Sequence, residues 1–392
     1  MREMKDSEIE WIGAIPAAWG VHRIASHFQE VKEKNTANEY SNALQFKMGR
    51  IIAKPQKWDE EEINEIYAAY TVVHPNTIMI NGLNLEFDFV TQRVAQVECD
   101  GIITSAYIAL SPRDDINAKY ICYLLKSYDA CRAFHSMGRG LRKILSFSEL
   151  KNKPIIVPPL AEQERIAAFL DAECAEVDAV LEKTRASIDE YKKLKQTVIT
   201  QAVTKGIRGD RPMKDSGSIW FGNIPVDWDM KKIKYLFHIK KDITGQEGYT
   251  VLSITQKGIM PKDLSKNEGQ LAESYSHYQL VNPGDYAMNH MDLLTGWVDI
   301  SKYTGVTSPD YRVFVLDDLE SNNRSFYLYL MQMCYSNRIF YGLGQGVSGM
   351  GRWRLQADKF LNFSIVVPSK DEQQEIADYL DAKCAEIDNL IS

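Results

Sequence analysis

Pro158-Pro159-Leu160-Ala161-Glu162-Gln163-Glu164-Arg165-Ile166-Ala167-Ala168-Phe169-Leu170-Asp171-Ala172 begins a run in which neither glycine nor proline recurs before Gly206. Leu170, Val177, Thr184, Tyr191 and Val198 stand seven residues apart, interleaved by Cys174, Leu181, Ile188, Lys195 and Ala202. This is the heptad seam of a long helix, softened at Thr184 and broken at the polar Lys195. The 45 residues from Ala161 to Lys205, at about 1.5 Å each, would reach roughly 70 Å. A rod longer than a domain is wide needs partner helices along it. Ile155-Ile156-Val157, just before it, reads as a last strand with a proline stop.

The same opening returns 210 residues later. Glu162-Gln163, Ile166-Ala167, Leu170-Asp171-Ala172, Cys174-Ala175-Glu176 and Asp178 reappear as Glu372-Gln373, Ile376-Ala377, Leu380-Asp381-Ala382, Cys384-Ala385-Glu386 and Asp388. A second block repeats at an offset of 209. Met4-Lys5-Asp6-Ser7, Trp11, Gly13, Ile15, Pro16 and Trp19 return as Met213-Lys214-Asp215-Ser216, Trp220, Gly222, Ile224, Pro225 and Trp228. Two blocks at nearly one spacing make the chain a duplication, with copies near 4–182 and 213–392. Between the blocks the copies agree far less, so one scaffold carries two different surfaces.

Each middle reads as a mixed domain. Thr77–Asn81, Ala106–Leu110, Tyr249–Ile254, Asp285–Asn289 and Tyr311–Leu316 have the β-branched and aromatic content of strands. Asn117–His135 and Arg324–Phe340 each read as one helix packed on a sheet. The expected fold is α+β: two mixed α/β domains, each followed by a long heptad helix, with pseudo-twofold symmetry around an antiparallel helical pair. The expected boundaries are a first domain at 1–157, a first helix at 158–205, a linker at 206–218, a second domain at 219–367 and a second helix at 368–392. Ile166, Leu170, Val177, Leu181, Ile188, Tyr191 and Val198 are the expected packing positions of the first helix, and Ile376, Leu380 and Ile387 those of the second.

Charge along the first helix is polarised. Residues 161–182 hold seven acids and one base, and residues 183–205 six bases and two acids. Residues 371–388 are again acidic, with seven acids and one base. In an antiparallel pair, the acidic second helix would lie beside the basic half of the first.

No apolar run approaches the roughly 18 residues a membrane span needs, and the amino-terminal residues lack a secretory pattern. The expectation is a cytoplasmic protein whose six cysteines are reduced, buried thiols. The net charge of −7 argues weakly against a plain nucleic-acid binder, unless local basic faces exist.

Two copies of a variable domain, each followed by a helix opening at Pro158–Ala168 or Pro368–Ala377, form a specific pattern. So do the Ile-Pro-x-x-Trp segments at Ile15–Trp19 and Ile224–Trp228. With Gly101–Tyr107, Gly284-Asp285 and Gly305–Tyr311, these features make the chain resemble the specificity (S) subunit of type I restriction–modification systems. The resemblance covers essentially the whole length. It implies a non-catalytic reader of double-stranded DNA, each target domain recognising one half of a split, asymmetric site. It also implies helices that act as a spacer and dock two methyltransferase subunits, joined by restriction subunits where a system has them. S-adenosylmethionine, ATP and Mg would then belong to those partners, with no cofactor, metal or catalytic group in this chain. One departure from the family is that the second helix stops at Ser392, so residues 183–205 have no counterpart. Docking of the second methyltransferase is expected to be weaker for it.

The residues agree with a chain that performs no chemistry itself. Gly344-Gln345-Gly346-Val347-Ser348-Gly349 spells a dinucleotide fingerprint but follows a predicted helix instead of a strand, and so reads as a loop. Phosphate contacts need local bases. Arg139, Arg142 and Lys143 sit in one Gly-rich loop, and Arg352, Trp353 and Arg354 in its counterpart. Glycine lets backbone approach phosphate, while arginine bridges phosphates or reads guanine. Lys47, Arg50, Lys54 and Lys57 form a further basic stretch, with Lys257, Lys262 and Lys266 in the second copy. Asn81, and Asn289 with His290, follow predicted strands and offer amide or imidazole groups to base edges; a structural turn explains them equally well. The rival reading is a protein-interaction scaffold with a coiled-coil rod and no DNA specificity.

Overall fold

The computed structural model describes residues 2–55, 65–138, 143–263, 274–346 and 353–392. The chain divides into two units, Met1–Leu181 and Glu182–Ser392.

In the first unit a four-stranded antiparallel sheet has the order Phe28–Glu30, Ile108–Pro112, Ile78–Ile80, Val94–Gln96. Ile78-Met79-Ile80 is buried on both faces, which is why a run without polar alternation forms this inner strand. Helix Ala118–Ala130 covers the sheet, closing a core of Ile78, Ile80, Val94, Leu110, Ile121 and Leu125. Gly20–Arg23 pairs antiparallel with Pro154–Val157, so the start of the unit is tied to the strand that feeds the long helix.

The second unit repeats this plan. Its sheet runs Phe237–Lys240, Arg312–Leu316, Tyr286–Met288, Val298–Ile300, and Asp229–Lys232 pairs with Ser364–Val367. Its core is richer in aromatic rings than the first. Phe237 meets Tyr286, Phe314 and Tyr327 edge-on at 5.4–5.6 Å between ring centroids. Met213–Asp215, assigned to the linker from sequence, forms a hairpin with Asn223–Pro225, as Met4–Asp6 does with Ala14–Pro16.

The two sheet-covering helices depart from the sequence expectation in the same way. Each breaks in two: Ala118–Ala130 then Ala133–Met137, and Arg324–Ser336 then Ile339–Leu343. At the breaks Arg132 and Arg338 take the left-handed conformation, with φ of 61° and 57°. Apolar periodicity continues across one such residue, so the pattern alone cannot reveal the break.

Helix Leu160–Lys205 runs unbroken over 46 residues and ends at Gly206, whose φ of 79° is a left-handed helix stop. Within the second unit its basic end lies antiparallel to helix Lys370–Ile391. Lys195 reaches Asp388 at 2.7 Å, and beyond the helix end Arg208 and Arg211 reach Glu375 and Glu372 at 2.8 and 2.5 Å. The expected acid–base pairing is thus present in this unit.

The thiols correct another expectation. Cys122, Cys334 and Cys384 are buried, and burial pushes their thiols up, but Cys99, Cys131 and Cys174 are exposed. Cys174 stays exposed beside Tyr123, whereas Cys384, its repeat partner, lies under the antiparallel pair. Among the described residues no helix is long and apolar enough to cross a membrane.

Candidate nucleic-acid interface

The repeated motifs turn out to be joints. Trp19 Nε1 donates to Glu162 at 3.0 Å and Trp228 Nε1 donates to Glu372 at 3.0 Å, locking each Ile-Pro-x-x-Trp segment to the start of the following helix. Arg2 and Arg211 add a guanidinium to the same carboxylates. Gln163 and Gln373 each accept from a helix-capping backbone N–H, of Asn117 at 2.9 Å and Asn323 at 2.7 Å, and each donates to a proline carbonyl, Pro158 or Pro368. Tyr123 and Tyr329 donate to Asp171 and Asp381. These residues recur because they fix the domain to its helix, and they leave the opposite loops to vary.

In the second unit those loops enclose a cleft of about 680 Å³ lined by Lys262, Tyr275, Tyr278, Asn289, Tyr311 and Trp353. Strand Tyr286–Met288 delivers Asn289 to it. The Asn289 Oδ1 accepts from Met291 N at 3.2 Å, so the turn is present and uses the carbonyl oxygen. His290 lies behind, its backbone oxygen accepting from Leu355 N at 3.0 Å. Burial, with Arg312 and Arg354 nearby, pushes its imidazole down to about 4, so near neutral pH it is uncharged. The indole of Trp353 donates to Tyr341 O at 2.7 Å and lies 5.5 Å from the Tyr341 ring. A side chain at Gly344 would come within 2.4 Å of that indole, which explains the first glycine of the fingerprint-like loop. Arg354 pairs with Gln345 through the backbone and leaves its guanidinium exposed.

The first unit places its equivalents in the same order. Asn81 Oδ1 accepts from Leu83 N at 3.1 Å. The loop after it meets the Gly-rich loop twice, through Leu85 N to Lys143 O and Leu145 N to Gly82 O. Arg93, fully buried, staples this loop by donating to the carbonyls of Asn81, Leu83 and Asp88. Lys47 and Arg50 lie at the exposed tip of hairpin Leu44–Lys47/Arg50–Ala53, Arg50 within 3.6 Å of Asp178; Lys257 lies at the tip of the matching hairpin, Leu252–Thr255/Gly258–Pro261. Lys57, Arg139, Arg142, Lys266 and Arg352 lie outside the described residues.

The frame is duplicated and the loop faces are unlike, and comparison with known proteins decides the family. Residues 99–189 and 225–390 match the type I restriction modification DNA specificity domain. The chain belongs to this family. A putative type I restriction enzyme MjaX specificity subunit of Methanocaldococcus jannaschii is 22% identical over 234 residues, 57% of this chain and 53% of that protein. The match thus spans about half the length of the curated relative. Among solved structures, a chain from a study of complex assembly and conformational transition of the type I R-M system aligns over 96% of this chain and 93% of its own, with a TM-score of 0.69 and 14% identity. The HsdS subunit from Thermoanaerobacter tengcongensis aligns over 96% and 91%, with a TM-score of 0.53 and 15% identity.

For a specificity-domain protein, one shared feature escaped the sequence reading. Lys54, Tyr67, Tyr70 and Asn81 recur as Lys262, Tyr275, Tyr278 and Asn289, all at an offset of 208. Four residues spread over 28 positions make no dense block, and it is the matching backbone hydrogen bonds of the two units that bring them into view. The packing residues of the family's helices divide by copy. Ile376, Leu380 and Ile387 are buried, whereas Ile166, Leu170, Ile188, Tyr191 and Val198 are half-buried and Val177 and Leu181 exposed.

Proposed function

We propose that this chain is the DNA-recognition subunit of a type I restriction–modification complex, reading a two-part target with its two units. The observation that carries this is one frame bearing two different surfaces: the loop after Asn81 meets Lys143 in one unit, whereas Asn289 lines a cleft with Trp353 in the other. The helices serve as the docking site for methyltransferase subunits. In support, Phe169, Val177, Val180 and Leu181 are exposed on the first unit's part of the helix, and a cluster of exposed large apolar side chains marks a partner surface. The chain contributes recognition, and S-adenosylmethionine, ATP and Mg are held by the partners. Methylation of cellular DNA, mapped base by base in cells with the methyltransferase and with or without this chain, tests the reading. Site-specific adenine methylation is expected only when both are present, and the purified chain alone is expected to transfer no methyl group. Unchanged methylation in cells lacking the chain would reject it.

A further inference from the structure

We infer that Lys54 and Lys262 are one duplicated phosphate anchor, which holds the DNA backbone in the same way in both units whatever sequence each unit reads. The inference rests on the DNA reading above and assigns a role within it. The two lysines occupy one structural position. Lys54 N donates to Ala43 O and Lys262 N to Val251 O, both at 2.8 Å, and Ala43 and Val251 form parallel bridges to Ile102 and Val306. The tyrosines beside them match as closely. Tyr70 N donates to Tyr67 O at 3.1 Å and Tyr278 N to Tyr275 O at 3.0 Å; Asn35 N donates to Tyr70 O and Thr244 N to Tyr278 O. The Tyr67 and Tyr70 rings lie 5.3 Å apart and those of Tyr275 and Tyr278 5.0 Å.

The surroundings do not match. Of the twelve positions between lysine and first tyrosine, only Glu60 and Glu65 recur, as Glu268 and Glu273. The residues after the shared asparagines also differ: Gly82-Leu83-Asn84 faces His290-Met291-Asp292. Two readers of different half-sites must differ where they touch bases and can agree only where the DNA is the same, which is its phosphates and sugars. An ammonium on a flexible stem suits that task, being a point charge without the planar fork that reads guanine. Lys262 opens on the cleft that holds Asn289 and Trp353. Lys54 donates to the Tyr70 hydroxyl at 3.2 Å, with its ammonium 5.6 Å from the ring centroid, so the tyrosine aims the charge.

The test is the salt dependence of binding by the purified full chain to a duplex of arbitrary sequence, together with selection from a duplex pool with a randomised interior. Lys54→Met and Lys262→Met should each weaken binding to every sequence and lower the slope of log affinity against log salt by about one unit. The selected sequence should not change. Lys54→Arg and Lys262→Arg should keep the wild-type slope. A slope unaltered in the methionine variants, or lost in the arginine variants, would overturn the anchor, as would a changed base preference at one position. The wild-type chain judges the underlying reading separately, because its failure to bind DNA in a salt-dependent way would remove both.

Discussion

Glu372 is the residue on which the second unit closes. Its side chain is 1% exposed, accepts from Trp228 Nε1 and from Arg211, and lies one residue before the glutamine that joins the helix to the capping loop. Removing one member of a buried, hydrogen-bonded ion pair leaves the other charge unsolvated, which costs about 3–5 kcal/mol. Glu372→Ala should therefore lower the denaturant stability of this unit by that order, whereas Glu162→Ala, whose partner Arg2 is largely exposed, should cost clearly less. His290 gives the same unit a pH signature. Burial first, then Arg312 and Arg354, hold its imidazole near 4 against an ordinary value of 6.5. The unfolded chain thus binds the proton first as pH falls, so this contribution is complete above 6.5 and is lost as pH drops towards 4. Urea unfolding at a series of pH values should show a loss of about 3 kcal/mol across that window. His290→Gln should flatten it; an equally steep profile in the variant would place the titration elsewhere. Neither residue's role was legible beforehand. Glu372 is visible as a repeat but its tryptophan partner is 144 positions away, and the sequence leaves His290 open between a base-facing group and a turn, of which the turn is present.

At the scale of elements, one helix shows both the strength and the limit of periodicity. The absence of glycine and proline located Leu160–Lys205 almost to the residue, because both the start and the stop are chemical: a proline pair and a left-handed glycine. The heptad seam located apolar positions but not which of them would be covered, since that depends on a second element. In the second unit Ala202 and Val203 are buried with Ile376 and Leu380, and Ile387 and Cys384 are buried further along. The same stripe in the first unit stays open. Two substitutions separate the cases. Val203→Asp places an unpaired charge in a site with no exposure and should cost more than about 4 kcal/mol. Leu181→Asp, at a position 47% exposed, should change the stability of the chain by less than about 1 kcal/mol. It should instead weaken capture of the methyltransferase in a pull-down. Equal losses of stability from the two would mean that the stripe is covered within the chain itself.

For the molecule as a whole, duplication explains why so much of the fold was readable and so little of its specificity. Motifs that join domain to helix are under one geometric demand in both copies and so repeat, as Trp19 and Trp228 do. The loop surfaces differ between the copies and leave no internal pattern. The shared lysine–tyrosine position is the intermediate case, common to both but too sparse to stand out. The divergence itself yields the last prediction: the full target should be asymmetric. The first unit presents Lys143 and a loop stapled by buried Arg93, with Phe87 and Val90 exposed at its tip. The second presents Trp353, fixed against Tyr341, and the exposed Arg354, with Leu294 at the corresponding tip. These surfaces cannot offer the same donors and apolar contacts to a major groove. One lost bidentate base contact costs about 1–3 kcal/mol of discrimination, so differences of this size are enough to change the preferred base. Arg354→Ala should therefore relax the preference in one half of the methylated sequence and leave the other half intact. If Arg354 only holds a phosphate, the variant should instead weaken binding to all sequences and lower the salt slope by about one unit. Mapping the methylated adenines distinguishes the outcomes, and a palindromic site would reject the argument, because two surfaces so unlike would then have to read the same bases.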